Sequence, residues 1–242
     1  MADIRQVDDL VRYGRLHGDT LVLEEDVRLI FHRDMVIPFS LKIAGNTSFL
    51  GADSKPYTIE FETARPAICC AASAEHLKLS TLTMKNHGDK PLFKFQRNFI
   101  KNISFSAMDF DVKNFGEISS RSINVVDTVF RNKEQQTIEL DSMNNLTLCG
   151  VTSETELPLF DLSGGKVIRD SITIYDVELE ESGGLMIIGS QDKEGMLDLS
   201  TIPKYGIVTD QVNLLNSELL KVKRADGAII SLPLELTKQF FL

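Results

Sequence analysis

Lys94, Glu117, Glu139 and Asp161 stand 22 or 23 residues apart, each shortly after a loop-like stretch. Three carboxylates and an amine at one spacing could do chemistry if folding sets them side by side. On neighbouring strands such residues lie about 4.8 Å apart. Carboxylates that close push each other's proton affinities apart, so one can act as acid and the other as nucleophile on a glycosidic bond. The same oxygens could hold Ca²⁺, which takes about six to eight oxygen ligands. If the strand begins two residues later, Ser119 replaces Glu117 in the row. Loops beside the row add His87, Asp89, Lys113 and Lys133, and Arg121 follows at the next corner. The solvent side of a strand in an acidic protein carries the same pattern with no chemistry attached.

Other candidate chemistry is thinner. His17, His32, His76 and His87 are scattered, so no metal site is expected. Cys69, Cys70 and Cys149 make an odd count without a C-x-x-C pair, which suits a reduced compartment and packed strands better than a metal or disulfide framework. Gly164-Gly165 and Gly183-Gly184 lack the strand, helix and lysine context of a phosphate cradle. No Ser/His/Asp or Cys/His set has an arguable spacing. Lys221, Lys223 and Arg224 form a small basic cluster, read as a solvated edge. There is no Trp and only four Tyr to stack on sugar rings, and most of the 14 Phe fall on inward positions.

The elements that would hold the row follow from an internal repeat. One phrase recurs: apolar, any, apolar, two small or polar residues, apolar, any, apolar. Its copies are Leu77-Leu79-Leu82-Met84, Ile103-Phe105-Met108-Phe110, Ile123-Val125-Thr128-Phe130, Leu146-Leu148-Val151-Ser153 and Ile172-Ile174-Val177-Leu179. A fading sixth is Leu197-Leu199-Ile202. First positions lie 26, 20, 23, 26 and 25 residues apart, the period of a solenoid. Period-2 alternation either side of a two-residue break predicts two short strands meeting at a tight corner. A third apolar patch follows each copy, as at Phe93 and Phe95, Ile118, Ile138 and Leu140, Phe160 and Leu162, and Ile188. Three short strands per period make a parallel β-helix. Leucine-rich repeats share the period but need an Asn or Cys within a fixed Leu spacing. Two polar columns are expected along the stack. Lys85, Asp111, Arg131, Glu154 and Glu180 alternate in sign over the first four, and His76, Asn102, Ser122, Asn145 and Ser171 stack at a corner.

Before the repeats, Asp3 to His17 places Ile4, Val7, Leu10, Val11 and Leu16 on one helical face, with Gly18 as a stop. Such a helix would cover the open end of the apolar core. Thr47 to Ser54 reads as a polar loop, and Ala225-Asp226-Gly227-Ala228 as a turn. Ile229 to Leu242 reads as a C-terminal cap whose apolar end, if bare, invites self-association.

The expected helix, Gly-Asp-Thr-Leu-Val-Leu at 18–23, Ser-Leu-Lys-Ile-Ala-Gly at 40–45 and the strand from Leu77 onward together resemble the opening of the pectin-lyase-like right-handed parallel β-helix superfamily. The resemblance spans nearly the whole chain as a pattern. It implies a right-handed solenoid, and its enzymes include polysaccharide lyases, hydrolases and epimerases acting from one outer wall. The motif set of the polygalacturonases is absent, and Asn86-His87-Gly88-Asp89 matches it only faintly.

The expected architecture is therefore a single all-β domain over 1–242, a right-handed parallel β-helix of about eight coils. Residues 1–18 would form a capping α-helix, 19–210 the coils, and 211–242 the last coil and cap. Net charge is −9 and the isoelectric point near 5.0, which argues against nucleic acid and anionic membrane. No apolar run approaches the roughly 20 residues of a membrane span, and no signal peptide is visible. The expectation is a cytoplasmic, non-catalytic scaffold with an acidic lateral face for a protein partner or self-association, needing no cofactor. The first alternative is a polyuronide lyase, glycoside hydrolase or epimerase using Glu117, Glu139 and Asp161 with Lys94, where polysaccharide is the substrate and Ca²⁺ an aid. The second is a self-assembling structural subunit.

Overall fold

The computed structural model describes residues 1–95, 100–163, 171–180, 183–194, 196–198, 207–213 and 219–232. The chain is all-β, and its strands form a curled sheet in which parallel pairing dominates. Helical residues are confined to Val7–Val11 and a short turn at Ala52–Ser54 among those described.

Three ladders run side by side. The first contains Ala2–Ile4, Arg28–Phe31, Asn46–Gly51, His76–Ser80 and Ile100–Ser106, then parts of Gly116–Phe130, Asn145–Ser153, Ser171–Leu179 and Ile207–Asn213. The second joins Met35–Ile37, Tyr57–Phe61, Leu82–Asn86 and Asp109–Val112 to the later halves of those long strands. The third links Thr20–Leu23, Ser40–Ile43, Ile68–Cys70 and Phe93–Lys94 to the start of Gly116–Phe130. It continues through Ile138–Ser142, Phe160–Asp161, Met186–Gln191 and Leu220–Arg224. All these pairings are parallel.

The repeat phrase is in register. Leu77, Ile103, Ile123, Leu146 and Ile172 are successive partners, and so are Leu79, Phe105, Val125, Leu148 and Ile174. All ten are buried, because alternation sends every second side chain to the interior. The expected break between the first two strands is a single residue in the left-handed region: Thr81, Ala107, Asp127, Gly150 and Asp176 have φ of 57°, 51°, 47°, 63° and 51°. That one residue turns the chain so that apolar residues on both sides stay inward.

Interior phenylalanines stack along the ladders. Phe110 and Phe130 lie 5.3 Å apart and nearly parallel, Phe93 and Phe105 5.8 Å apart, and Phe115 packs edge-on to Phe110 at 5.0 Å. These rings are core, as their spacing implies.

Three expectations change. The helix over Asp3–His17 shrinks to Val7–Val11, flanked by strands Ala2–Ile4 and Gly14–His17. Ile4 and Leu10 are buried as a helical face requires, but Ile4 gets there by strand pairing with Phe31, and Leu16 is 51% exposed. Gly14–His17 runs antiparallel to Thr20–Leu23, where a Cβ on Gly14 would lie 2.4 Å from the Val22 carbonyl oxygen. Secondly, Asn46–Gly51 is a first-ladder strand and not a loop: Phe49 points inward, and the buried Thr47 hydroxyl donates to the Ala44 carbonyl. Thirdly, the sixth copy of the phrase belongs to Ile207, which partners Ile172, whereas Leu197–Asp198 folds back antiparallel on Met186–Gln191. The strand Ile207–Asn213 spans positions 210 and 211. The turn at Ala225–Ala228 closes a hairpin between Leu220–Arg224 and Ile229–Ser231, and the rest of the expected C-terminal cap, 233–242, lies outside the described residues.

Candidate functional site

The third ladder carries the row. Lys94 partners Glu117, Glu117 partners Glu139, and Glu139 partners Asp161. Lys94 and Glu139 are exposed, while Glu117 and Asp161 are half-buried. Each follows an inward anchor or a tight backbone position, which fixes its outward side. Phe93, Ile138 and Phe160 are buried, and Gly116 at φ 89° lies where a Cβ would come 2.2 Å from the Phe93 carbonyl oxygen. The Ser119 alternative fails: that side chain is buried, beyond a register shift between Ile118 and Ser119.

A shallow groove of about 260 Å³ opens over the row. Pro91, Lys94, Asn114, Glu117, Gln136 and Glu139 line it. Asp161 lies outside that lining, and its Oδ1 accepts hydrogen bonds from the Ser163 backbone N–H at 2.8 Å and hydroxyl at 2.6 Å. That carboxylate is therefore held in its own turn. Phe93 forms part of the groove floor but is fully buried, so it offers no ring face to a sugar.

The row extends in the other direction with opposite sign. Lys94 partners Cys69, and Cys69 partners Lys42. Lys42 and Arg65 both draw the Cys69 thiol toward ionisation, but burial outweighs them and pushes it up. Burial raises its neighbour Cys70 to about 12, so neither is a ready nucleophile at neutral pH. The row thus reads Lys42, Cys69, Lys94, Glu117, Glu139, Asp161, with Arg65 near Cys69. Sequence reasoning missed the cationic half because Lys42 and Cys69 precede the first clear copy of the repeat. The signal was there in Ser-Leu-Lys-Ile, whose Lys42 alternates with inward Leu41 and Ile43.

The remaining candidates scatter. His87 Nε2 lies 3.5 Å from Asp111, Lys113 3.7 Å from Glu134, and the His76 ring bonds Asn102 Nδ2 at 2.9 Å. Lys85 and Asp111 are register partners as expected. Arg131 keeps its expected column partner Glu154 and on the other side takes Asp109. Its Nε donates to Asp109 at 2.7 Å and its Nη1 to Glu154 at 3.2 Å, while Asn132 donates to Asp111. The Asp109 bond raises the Arg131 pKa further above its ordinary value. The polar corner column is hydrogen-bonded in part, Ser171 Oγ donating to Asn145 Oδ1 at 3.0 Å.

Among the described residues, no group of three His, Cys, Asp or Glu side chains is placed to hold a metal ion. No described helix is long and apolar enough to cross a membrane. The arrangement offers a charged, solvent-facing strip with a shallow polar groove at its centre. No family model, curated protein or solved structure matches the chain.

Proposed function

We propose that the chain is a single-domain, right-handed parallel β-helix of about eight coils that works as a non-catalytic scaffold, making protein contacts through the third ladder's outer face. Support for the architecture is the recurrence of the three ladders in fixed order, each strand pairing with the strand one repeat earlier. Parallel crossovers of this kind are right-handed in about 98% of cases. The observation that carries the function is the registered row Lys94, Glu117, Glu139, Asp161, exposed or half-buried, whose first three members line a groove too shallow to enclose a substrate. Catalytic and ligand pockets usually bury most of the ligand surface, whereas a charged strip on a rigid wall suits protein contact.

A second reading has its own support. Glu117 and Glu139 are direct cross-strand neighbours lining that groove beside Lys94, on strands about 4.8 Å apart, a spacing that would suit the two carboxylates of a retaining glycosidase. In that case the chain acts on a polyuronide or related polysaccharide.

One comparison separates the two. Wild type and Glu117→Gln are assayed on polygalacturonate and alginate, and binding of tetralysine is measured for wild type and Glu117→Gln/Glu139→Gln. Salt-sensitive tetralysine binding that the double variant loses, with no turnover, supports the scaffold. Turnover abolished by Glu117→Gln overturns it in favour of the enzyme.

A further inference from the structure

The row on the third ladder has a property beyond its acidity: its charge changes sign midway. From Lys42 to Asp161 its register positions carry a lysine, Cys69, a lysine, then three carboxylates, and the ladder continues through buried Ile187 to Lys221. Two cations flank a cysteine in one half, and three anions occupy the other. Neighbouring positions are about 4.8 Å apart, so the strip spans roughly 24 Å with its sign change midway, between Lys94 and Glu117.

A uniformly acidic or basic partner would be repelled by half of such a strip. A partner with the same sequence of signs, reversed in direction, sets both lysines against carboxylates. We infer that the third ladder's outer face binds a second copy of this chain, face to face and antiparallel, about a twofold axis between Lys94 and Glu117. An isologous dimer is self-complementary by construction. The twofold sets Lys94 against Glu117 of the second copy and Lys42 against its Asp161, with Cys69 facing its Glu139. Each contact occurs twice. A parallel arrangement would instead oppose Lys94 to Lys94 and Glu139 to Glu139, so the charges specify direction as well as partner.

Two features make the face fit for this. Its members stand on strands anchored by buried side chains, so the charges are held in line. The groove at the midpoint, lined by Lys94, Glu117 and Glu139, leaves room for side chains entering from the other copy. Exposed ion pairs are individually weak and screened by salt, and the chain's net charge of −9 opposes association at long range. The expected dimer is accordingly weak and strongly salt-dependent.

The inference rests on the scaffold reading but fails separately from it. Sedimentation equilibrium on the full chain is run at about 20 mM and about 300 mM salt, where the Debye length falls severalfold. Dimerisation at low salt, weakened about tenfold or more at high salt, is expected. Lys94→Glu and Glu117→Lys should each weaken the low-salt dimer at least about tenfold, and Lys94→Glu/Glu117→Lys should restore it because the swap re-pairs the charges. Lys78→Glu, an exposed first-ladder site with the same change of net charge as Lys94→Glu, should leave the dimer within about threefold of wild type. A monomer at every salt concentration overturns the inference, as does a dimer indifferent to Lys94→Glu or a double variant no better than the singles. If the chain is monomeric yet still binds tetralysine through Glu117 and Glu139, the scaffold reading stands and only the self-pairing falls.

Discussion

Gly150 stacks directly on Asp127 at the corner between the first and second ladders, and a Cβ on Gly150 would lie 2.6 Å from Asp127 Oδ1. Both residues have positive φ. Gly150 therefore meets two demands at once, the left-handed backbone and the close approach of the preceding corner's side chain. Gly150→Ala should destabilise the chain by about 1–3 kcal/mol, combining the left-handed penalty with displacement of Asp127. At the equivalent corner Thr81, a β-branched residue, sits at φ 57°. Thr81→Gly should recover about 1 kcal/mol and raise the melting temperature, the opposite sign at the same structural position. Urea unfolding of the two variants checks both, and a stable Gly150→Ala or a destabilised Thr81→Gly would contradict the corner argument.

The stacked rings set the second expectation. Phe110 is fully buried and touches Phe105, Phe115 and Phe130 at centroid distances of 5.2, 5.0 and 5.3 Å. Phe110→Ala removes contacts on three sides and leaves a cavity that ladder neighbours fixed by hydrogen bonds cannot close. A loss of about 3–5 kcal/mol is expected, and Phe110→Leu should cost markedly less. Equal costs would mean the site collapses freely.

Arg131 gives a third. Its guanidinium is 51% exposed, whereas the Asp109 side chain it grips is only 25% exposed. Deleting the exposed partner leaves a mostly buried carboxylate unpaired, so the penalty comes from what remains. Arg131→Met should destabilise by about 1–2 kcal/mol, discounted for the solvent around the guanidinium. Arg131→Met/Asp109→Asn should recover part of that, because the stranded charge is gone. A double variant less stable than the single one would sink this reading.

The N-terminal turn supplies a pH dependence. Asp9 Oδ2 accepts the Arg5 and Gln6 backbone N–H groups at 3.0 and 3.1 Å, and the Arg5 bond, ahead of the smaller effects, holds the carboxyl below its ordinary 3.8. A depressed carboxyl stabilises the fold only while ionised. Its contribution is complete above pH 3.8 and is lost as pH falls through the lower folded value. Wild type should therefore melt above Asp9→Asn at pH 6, and the gap should close in strong acid. A gap unchanged below pH 3 would show that Asp9 acts through shape and not through charge.

How much of this was legible beforehand depends on where alternation is uninterrupted. The apolar pairs from Leu77 to Leu179 announce their own register, since each phrase keeps two strands in phase across one corner residue. The Lys94 to Asp161 row was legible for the same reason, its spacing being that of the repeat. Asn46–Gly51 was hidden because Thr47 is an inward polar residue whose hydroxyl finds a carbonyl, an arrangement composition does not reveal. Ile4 misled in another way. Its spacing to Val7 and Leu10 is helical, yet it is buried by pairing with Phe31, a contact across 27 residues that no local window contains. Lys42 and Cys69 were missed as site members because their strands follow irregular loops, so only the three-dimensional register joins them to Lys94.

The strand Gly116–Phe130 runs unbroken through all three ladders, passing from the third to the first at the buried Ser119 and Ser120 and to the second at Asp127, where φ is positive. Earlier in the chain, residues 24–27 and 71–75 separate a third-ladder strand from the next first-ladder strand, and such a loop can loosen without disturbing its neighbours. Here the walls share one continuous backbone, so an opening in any wall must drag on the other two. Under tension or during amide exchange this segment should behave as a clamp at mid-length, with fraying from either terminus halting when it arrives there.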